Sequence, residues 1–289
     1  MITSQPITQL IPQRFSVRMY QDRPIAEETQ KFLQARLDAI RQGPFGSPVR
    51  LQLAAAGPDD AKALRGLGTY GTIQNPPGFI VGTVRAGEQA LEDYGYAMEE
   101  AILAATGLGL GTCWLGGFFT QSGFAKAIGK QEDELVPAVT AVGYTLEDDK
   151  TRDRSRLRVL ADQRLPWEDL FFEGQFGRPL THESSGRYQQ ALEMVRLGPS
   201  ARNKQPWRVI RDGAKWHFYC QRTPGYGKGS LLFSVLHIAD LQRVDLGIAL
   251  CHFELTLREA GLGGRWKIKD PGLPLVDKNT LYVATWDDE

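Results

Sequence analysis

An α+β fold built from two copies of one unit is predicted by three observations. First, the stretch DYGYAMEEAILAATGLGLGTCW at 93–114 returns at 245–266 as DLGIALCHFELTLREAGLGGRW, with eight of twenty-two positions identical and no gap. Average residue usage would give about one identity by chance. The identities are Asp93/Asp245, Gly95/Gly247, Ala97/Ala249, Leu103/Leu255, Gly109/Gly261, Leu110/Leu262, Gly111/Gly263 and Trp114/Trp266. Their offset of 152 residues is about half of the 289-residue chain, far beyond the roughly 20 to 50 residues of solenoid repeats. Second, each copy reads as a helix ending in glycines, over 91–106 and 241–260, because good helix formers lead into a permissive GLG backbone. Third, short β-rich runs alternate with helical periodicity and turn signals, which is an α+β layout.

The elements follow in order. At the N-terminus Arg14, Ser16 and Arg18 alternate in RFSVR, so an extended segment puts all three on one side; this fits an anion site and also a solvated strand edge. A helix is expected next, with Glu27 and Glu28 in its first turn, a stripe of Phe32, Leu33, Leu37 and Ile40, and a stop at Gly43-Pro44. Strands are expected over 49–55, 78–84 and 139–144, with a helix-prone piece at 58–65 between the first two. GTCWLGGFF after the first long helix reads as a loop, either for close approach of a ligand or as a tight helix-strand turn. A charged arm from 145 to 173, ending in the aromatic cluster of LPWEDLFFEG, joins the halves, and the boundary is placed near Pro179, giving units 1–178 and 179–289. The second half repeats the order: a helix over 185–197 stopped by Gly198-Pro199, the turn PSARNKQPW, a hairpin at Asp212-Gly213, the second long helix, and a strand over 281–286.

Composition bounds the function. The chain has 34 basic and 34 acidic residues, so broad attraction to nucleic acid or an anionic membrane has no support. The uncharged run at 101–125 is broken by glycines from Gly107 onward, as a buried core helix and its turn would be, and not a membrane span. Cys113, Cys220 and Cys251 are too scattered for a disulfide framework or a zinc ribbon, and buried thiols are expected. His182, His217, His237 and His252 lack ligand spacing, so no metal is expected. A cytoplasmic protein is the expectation. GLGLGT at 107–112 ends a helix instead of opening one after a strand, so it is not a dinucleotide fingerprint, and GYGKGS at 225–230 lacks the Ser or Thr position of a P-loop.

The motifs left over resemble, together, the nitroreductase family of FMN enzymes. RFSVR at 14–18 is similar to that family's N-terminal phosphate motif, PSARNKQPW at 199–207 to its second signature, and GLGTCWLGGF at 109–118 to its third, with Arg164-Leu165-Pro166 as a terminal RxP-like turn. Among such proteins the chain most resembles nitroreductases with two fused half-units in one polypeptide. The resemblance implies a nitroreductase-like fold in which a single-chain pseudo-dimer forms around the two long helices.

It also implies the site. Arg14, Ser16 and Arg164 would hold the FMN phosphate and ribityl chain through charge-assisted bonds. Arg18 would face the N1 and C2 carbonyl edge and tune the flavin. Pro199, Ser200, Ala201 and Asn203 would cover the other edge, backbone N–H groups around Gly116 and Gly117 would meet N5 and O4, and Phe15, Leu115 and Gln205 would complete the lining. Asp162 departs from a basic residue that some members carry. No protein acid or base is implied as catalytic. NADH or NADPH would be the co-substrate, and a nitroaromatic, quinone or enone the acceptor; a flavin-binding or ligand-sequestering protein without turnover is the alternative, and an FMN enzyme of the same fold using another reaction, such as desaturation or reductive dehalogenation, a third reading. Each half keeps different motifs, so one composite site is expected. The opposite position would have only Ser47 and Arg50 facing Arg187. With both long helices in one chain, a monomer is expected, with a small-molecule substrate as its partner.

Overall fold

The computed structural model describes residues 5–55, 73–116, 121–146, 163–224 and 239–288. The helix-prone piece at 58–65, Gly117, Asp162, His237 and the motif at 225–230 lie outside the described residues.

The first described element is a short helix that no sequence signal marks, α1 (Ile7–Gln13), which carries Pro12 inside it. Burial of Leu10 and Ile11 against Leu103 and Met194 supplies what the proline withholds, since packing decides short helices more than propensity does. After an extended arm comes α2 (Glu27–Ala39), with Glu27 and Glu28 in its first turn and Leu33 and Leu37 buried. Phe32 is not part of the stripe and is 39% exposed, because it sits about 100° around the helix from Leu33.

Strands β1 (Val49–Ala55) and β2 (Gly78–Arg85), helix α3 (Ala90–Gly107), β3 (Gly111–Leu115), α4 (Gln121–Ala127), β4 (Glu134–Leu135) and β5 (Val139–Gly143) complete the first half. Its antiparallel sheet has the order β1-β2-β5-β3, with β4 paired to β2. The stretch expected as a loop is thus partly a strand: β3 pairs with β5 from Gly111 opposite Gly143 to Leu115 opposite Val139. Thr112, Cys113 and Trp114 suit a pleated, half-buried surface, and the ladder satisfies backbone groups that a buried loop would leave bare.

The second half contains β6 (Phe171–Glu173), α5 (His182–Ser185), α6 (Gln189–Arg196), β7 (Trp207–Asp212), β8 (Lys215–Gln221), α7 (Leu241–Glu259), β9 (Arg265–Lys267) and β10 (Thr280–Asp287). Its sheet has the order β6-β7-β8-β10-β9. The strands flanking each long helix therefore follow one pattern, β1-β2-β5-β3 in one sheet and β7-β8-β10-β9 in the other. The expected hairpin forms at Asp212, with Gly213 at φ +60°. The helix expected over 185–197 is instead broken, because Gly186 takes φ +53° between α5 and α6. The aromatic end of the arm is more than a connector: β6 runs parallel to β7, and Trp167, Leu170 and Phe171 are buried in the second half's core. In strand pairing the second sheet thus begins before Pro179.

Helices α3 and α7 cross between the two sheets and bury residues on almost every face, as expected of core helices. Each contributes to the other's core, Tyr96 to the second and Val244 to the first. The crossing point is the repeated glycine. A Cβ on Gly95 would lie 2.1 Å from the Val244 carbonyl oxygen, and one on Gly247 2.1 Å from that of Glu92. Only glycine lets the backbones meet this closely. Beside the crossing, Arg243 donates from Nε and Nη2 to the two carboxylate oxygens of Glu92, each at 2.6 Å.

Candidate functional site

The RFSVR arm lies against β3 of its own half. Ser16 bridges Thr112 in parallel fashion, and the Val17 N–H donates to the Thr112 carbonyl at 2.9 Å. The extended alternation is present: Phe15 and Val17 pack into the core on one side, which leaves Arg14, Ser16 and Arg18 for the other. Phe15, expected to line the flavin, therefore turns its ring into the core. Leu115 does the same, 5% exposed within that cluster. Gly116 meets the second half, since a Cβ there would lie 2.6 Å from Leu241 Cδ2 at the start of α7.

Arg14 ends α1 with only 6% of its side chain exposed, and its Nε lies 3.9 Å from Glu99 Oε1. That Nε is buried and has no hydrogen-bond partner. Glu99 is a junction: its Oε2 accepts from Trp114 Nε1 at 2.8 Å, and its Oε1 lies 3.0 Å from His252 Nε2 on α7. His252 Nδ1 in turn lies 2.8 Å from the Met194 carbonyl on α6.

The PSARNKQPW loop starts where α6 ends, and it is unusually strained. Arg202, Asn203 and Gln205 have φ of +52°, +53° and +48°; among the described non-glycine residues only Asn75 joins them. Such backbone persists where surrounding bonds fix it, and it concentrates at functional sites. The bonds here are specific. Ser200 Oγ accepts from the Gln205 N–H at 2.8 Å, and the Ala201 N–H donates to Asp245 Oδ1 at 2.9 Å. Asn203 Nδ2 donates to the Gln163 carbonyl at 2.7 Å, while Arg164 donates to Asn203 Oδ1 at 3.3 Å and to the Leu197 carbonyl at 3.1 Å. Gln205 is 3% exposed and accepts the Leu165 N–H at 2.9 Å, while its amide donates to the Gln163 and Asn203 carbonyls. Its side chain clamps the loop, a role that residue type alone does not reveal.

The two ends of the expected site converge. Arg14 reaches Glu99, Glu99 reaches His252, and a Cβ on Gly198 would lie 3.7 Å from His252 Nδ1. Leu197, beside Gly198, packs with Leu10 and Ile11 of α1 and receives Arg164. The α1 end of the arm and the start of the loop thus meet at Leu197, whose carbonyl Arg164 holds. No motif marks Glu99, Trp114 or His252 for this role; α3 also holds Glu92, Asp93 and Glu100, and α7 Arg243, Asp245, Glu254, Arg258 and Glu259, so charge within the long helices singles out neither residue.

The position opposite is differently furnished. Arg50, expected to face it, is instead held by Glu134 at 2.7 Å on both Nε and Nη2. Arg187 donates to Asp288 at 2.7 Å. A cleft of about 440 Å³ lies there, lined by Arg187, Asp288 and the 261–265 turn.

Among the described residues no helix is long and apolar enough to cross a membrane, and no cluster of metal-ligating side chains is found. Cys113, Cys220 and Cys251 are buried thiols, and burial pushes that of Cys220 up to about 12.

Known proteins share the fold. A solved structure from Thermotoga maritima, described as "a putative nitroreductase", is 20% identical, with a TM-score of 0.61 over 98% of this chain and 94% of that one. A nitroreductase family protein from Clostridium novyi is 21% identical over 51% of this chain and 89% of its own, with a TM-score of 0.41. A nitroreductase with bound FMN from Bacteroides fragilis is 20% identical over 53% of this chain and 95% of its own, with a TM-score of 0.37. No curated protein matches the sequence. The family described as "Putative TM nitroreductase" matches residues 6–257, and the chain belongs to this nitroreductase family.

Proposed function

We propose that this protein is an FMN-dependent oxidoreductase of nitroreductase type that holds one FMN between its two halves. The observation that carries the reading is Arg14: a guanidinium buried at the junction of arm and loop, with an Nε that has no hydrogen-bond partner. A buried donor left unsatisfied costs about 1 to 3 kcal/mol, and a phosphate at this place would supply the missing acceptor. The residues around it fit the group. Arg14 and Arg164 offer charge, Ser16 a hydroxyl, and Asn203 is fixed by its bonds to Gln163 and Arg164.

Bound FMN would supply two-electron chemistry, taking a hydride from NADH or NADPH and passing it on to an electron-poor acceptor such as a nitroaromatic, quinone or enone. The chain's part is binding and electrostatics. Arg18, on the same side of the arm as Arg14, would set a fixed positive charge beside the ring and favour the more negative, reduced form. The strained 202–205 backbone would present the loop in one shape without reorganisation on binding. Both long helices lie in one chain, and their apolar faces are covered by each other, so the protein is proposed to work as a monomer.

The test is the purified protein itself. Released FMN should approach one per chain, light scattering should give a monomer mass, and anaerobic addition of NADH or NADPH should bleach the yellow protein. Bound FMN that ignores both nucleotides would make it a flavin-binding protein without turnover. A ratio near two would sink the single composite site.

A further inference from the structure

We infer that Gln205 is a positioning residue of the flavin site: its side-chain amide grips the backbone on both sides of Arg164 and so aims that guanidinium at the FMN phosphate. The inference rests on the FMN reading above and adds to it a residue that acts through Arg164.

Arg164 belongs to the end of the connecting arm and Gln205 to the PSARNKQPW loop, 40 residues beyond Leu165. Among the described residues no backbone–backbone hydrogen bond joins 163–165 to 197–205, so side chains tie the two segments. Gln205 supplies the tie that holds peptide groups. Its Oε1 accepts from the Leu165 N–H at 2.9 Å, and its Nε2 donates to the Gln163 carbonyl at 3.3 Å. These are the N–H that follows Arg164 and the C=O that precedes it, the pair that a residue on a neighbouring parallel strand would engage. The side-chain amide thus stands in for such a strand, and it fixes the direction in which the Arg164 side chain leaves the backbone.

The amide can do this because Gln205 is itself held from every side. Its N–H donates to Ser200 Oγ at 2.8 Å, its C=O accepts from Arg208 Nη1 at 2.9 Å, and Nε2 also donates to the Asn203 carbonyl at 3.3 Å. With all its polar groups bonded, the residue keeps φ at +48°, a conformation that persists only where the surroundings over-determine it. Arg164 is then steadied at its far end by Asn203 Oδ1 and the Leu197 carbonyl. Leu197 packs with Leu10 and Ile11 of α1, the helix that Arg14 ends. The amide therefore sets Arg164 on the side where Arg14 is buried.

The interlock also exists once. The counterpart turn in the first half, GPFGSPVR at 43–50, contains neither Asn nor Gln, so the opposite position has no amide to fix an arginine. That matches a single phosphate site.

The test is a double-mutant cycle on the full chain, with FMN affinity read by fluorescence titration of deflavinated protein. Gln205→Met keeps the length of the side chain and removes its hydrogen bonds, and it should weaken FMN binding at least about ten-fold. In an Arg164→Ala background the same substitution should weaken it less than about three-fold, because the group it positions is gone. A residue that only stabilised the loop would lose the same factor in both backgrounds. That result would overturn the inference, as would native-like FMN affinity in Gln205→Met. A second measurement uses the native chain and does not depend on how the variants fold. Hydrogen exchange of the Leu165 N–H should be at least about ten-fold slower with FMN bound than with riboflavin bound, because only FMN brings a phosphate to Arg164. Equal rates would overturn the inference while leaving FMN binding intact. No FMN uptake by the native chain would instead sink the flavin reading, and this inference with it.

Discussion

Asp93 and Asp245 hold the same place in the repeated stretch, yet they do unequal work. Asp93 accepts the N–H groups of Phe45 at 2.7 Å and Ser47 at 2.8 Å, one on each oxygen. Among the described residues Asp245 accepts only that of Ala201 at 2.9 Å, and its Oδ2 is buried without a partner among them. Burial raises both carboxyls, and Asp245 is pushed well above the ordinary range. Around these anchors the halves diverge further. In the first half the arm lies along β3 at Ser16, whereas beside β9 an open cleft holds an Arg187 already paired with Asp288. What the copies share is what helix crossing and sheet order demand; where they differ is where a ligand's charge would be met.

The largest effect expected of any substitution is at the shared crossing. Gly95→Ala and Gly247→Ala each place a methyl group 2.1 Å from a carbonyl oxygen of the opposing helix, and each should cost at least about 3 kcal/mol in denaturant unfolding. Tolerance of one and not the other would break the symmetry of this contact. Next comes the asymmetry of the sites. Arg14→Ala should weaken FMN binding by about 1.5 to 3 kcal/mol, the worth of a charged hydrogen bond, while Arg187→Ala should leave FMN affinity as it is. Equal losses from both would erase the distinction between the two positions. Arg18→Ala belongs with these: the flavin midpoint potential should fall while FMN stays bound, and spectroelectrochemistry reads the shift.

Smaller effects sharpen the comparison of the aspartates. Asp93→Asn turns an amide N–H toward a backbone N–H and should cost about 1 to 2 kcal/mol; Asp245→Asn, with only one bond to keep, should cost less than about 1 kcal/mol at pH 7. The smallest concerns Arg50. Its bonds to Glu134 hold that carboxyl down to about 2, below its unfolded value. The stabilisation is therefore complete above the unfolded pKa and is lost as pH falls through about 2. Arg50 is 44% exposed, so Glu134→Gln should remove no more than about 1 kcal/mol at pH 7 and flatten the acid limb of the stability curve.

The long helices, β1, β2, β5 and the Asp212-Gly213 hairpin were legible because their signals are local: periodicity, glycine stops and β-branched runs. The strand at Gly111–Leu115 was not, since glycines at its borders look the same in a loop, and only pairing with β5 separates the two. The arm's alternation was readable, but whether Phe15 faces the core or a ligand is decided by the sheet it lies on. The loop-clamping part of Gln205 was hidden for a similar reason: an amide in a turn can serve a cofactor or the turn itself, and only the structure shows its bonds to the Leu165 N–H and two carbonyls. Glu99 and His252 are 153 residues apart, and no spacing rule spans that distance.

The crossing at Gly95 and Gly247 also orders events during synthesis. Helix α3 leaves the ribosome long before α7, so Glu99, Tyr96 and the glycine face must wait for partners from the far half of the chain. The entropy of closing so long a loop grows only logarithmically with its length, but contacts of such sequence separation form late. Until then the first half has an open apolar groove where α7 will lie, and Arg14 stands beside a Glu99 that has no His252. Completing the second core and completing the junction around Arg14 therefore both require α7, and a chain truncated before it would have neither.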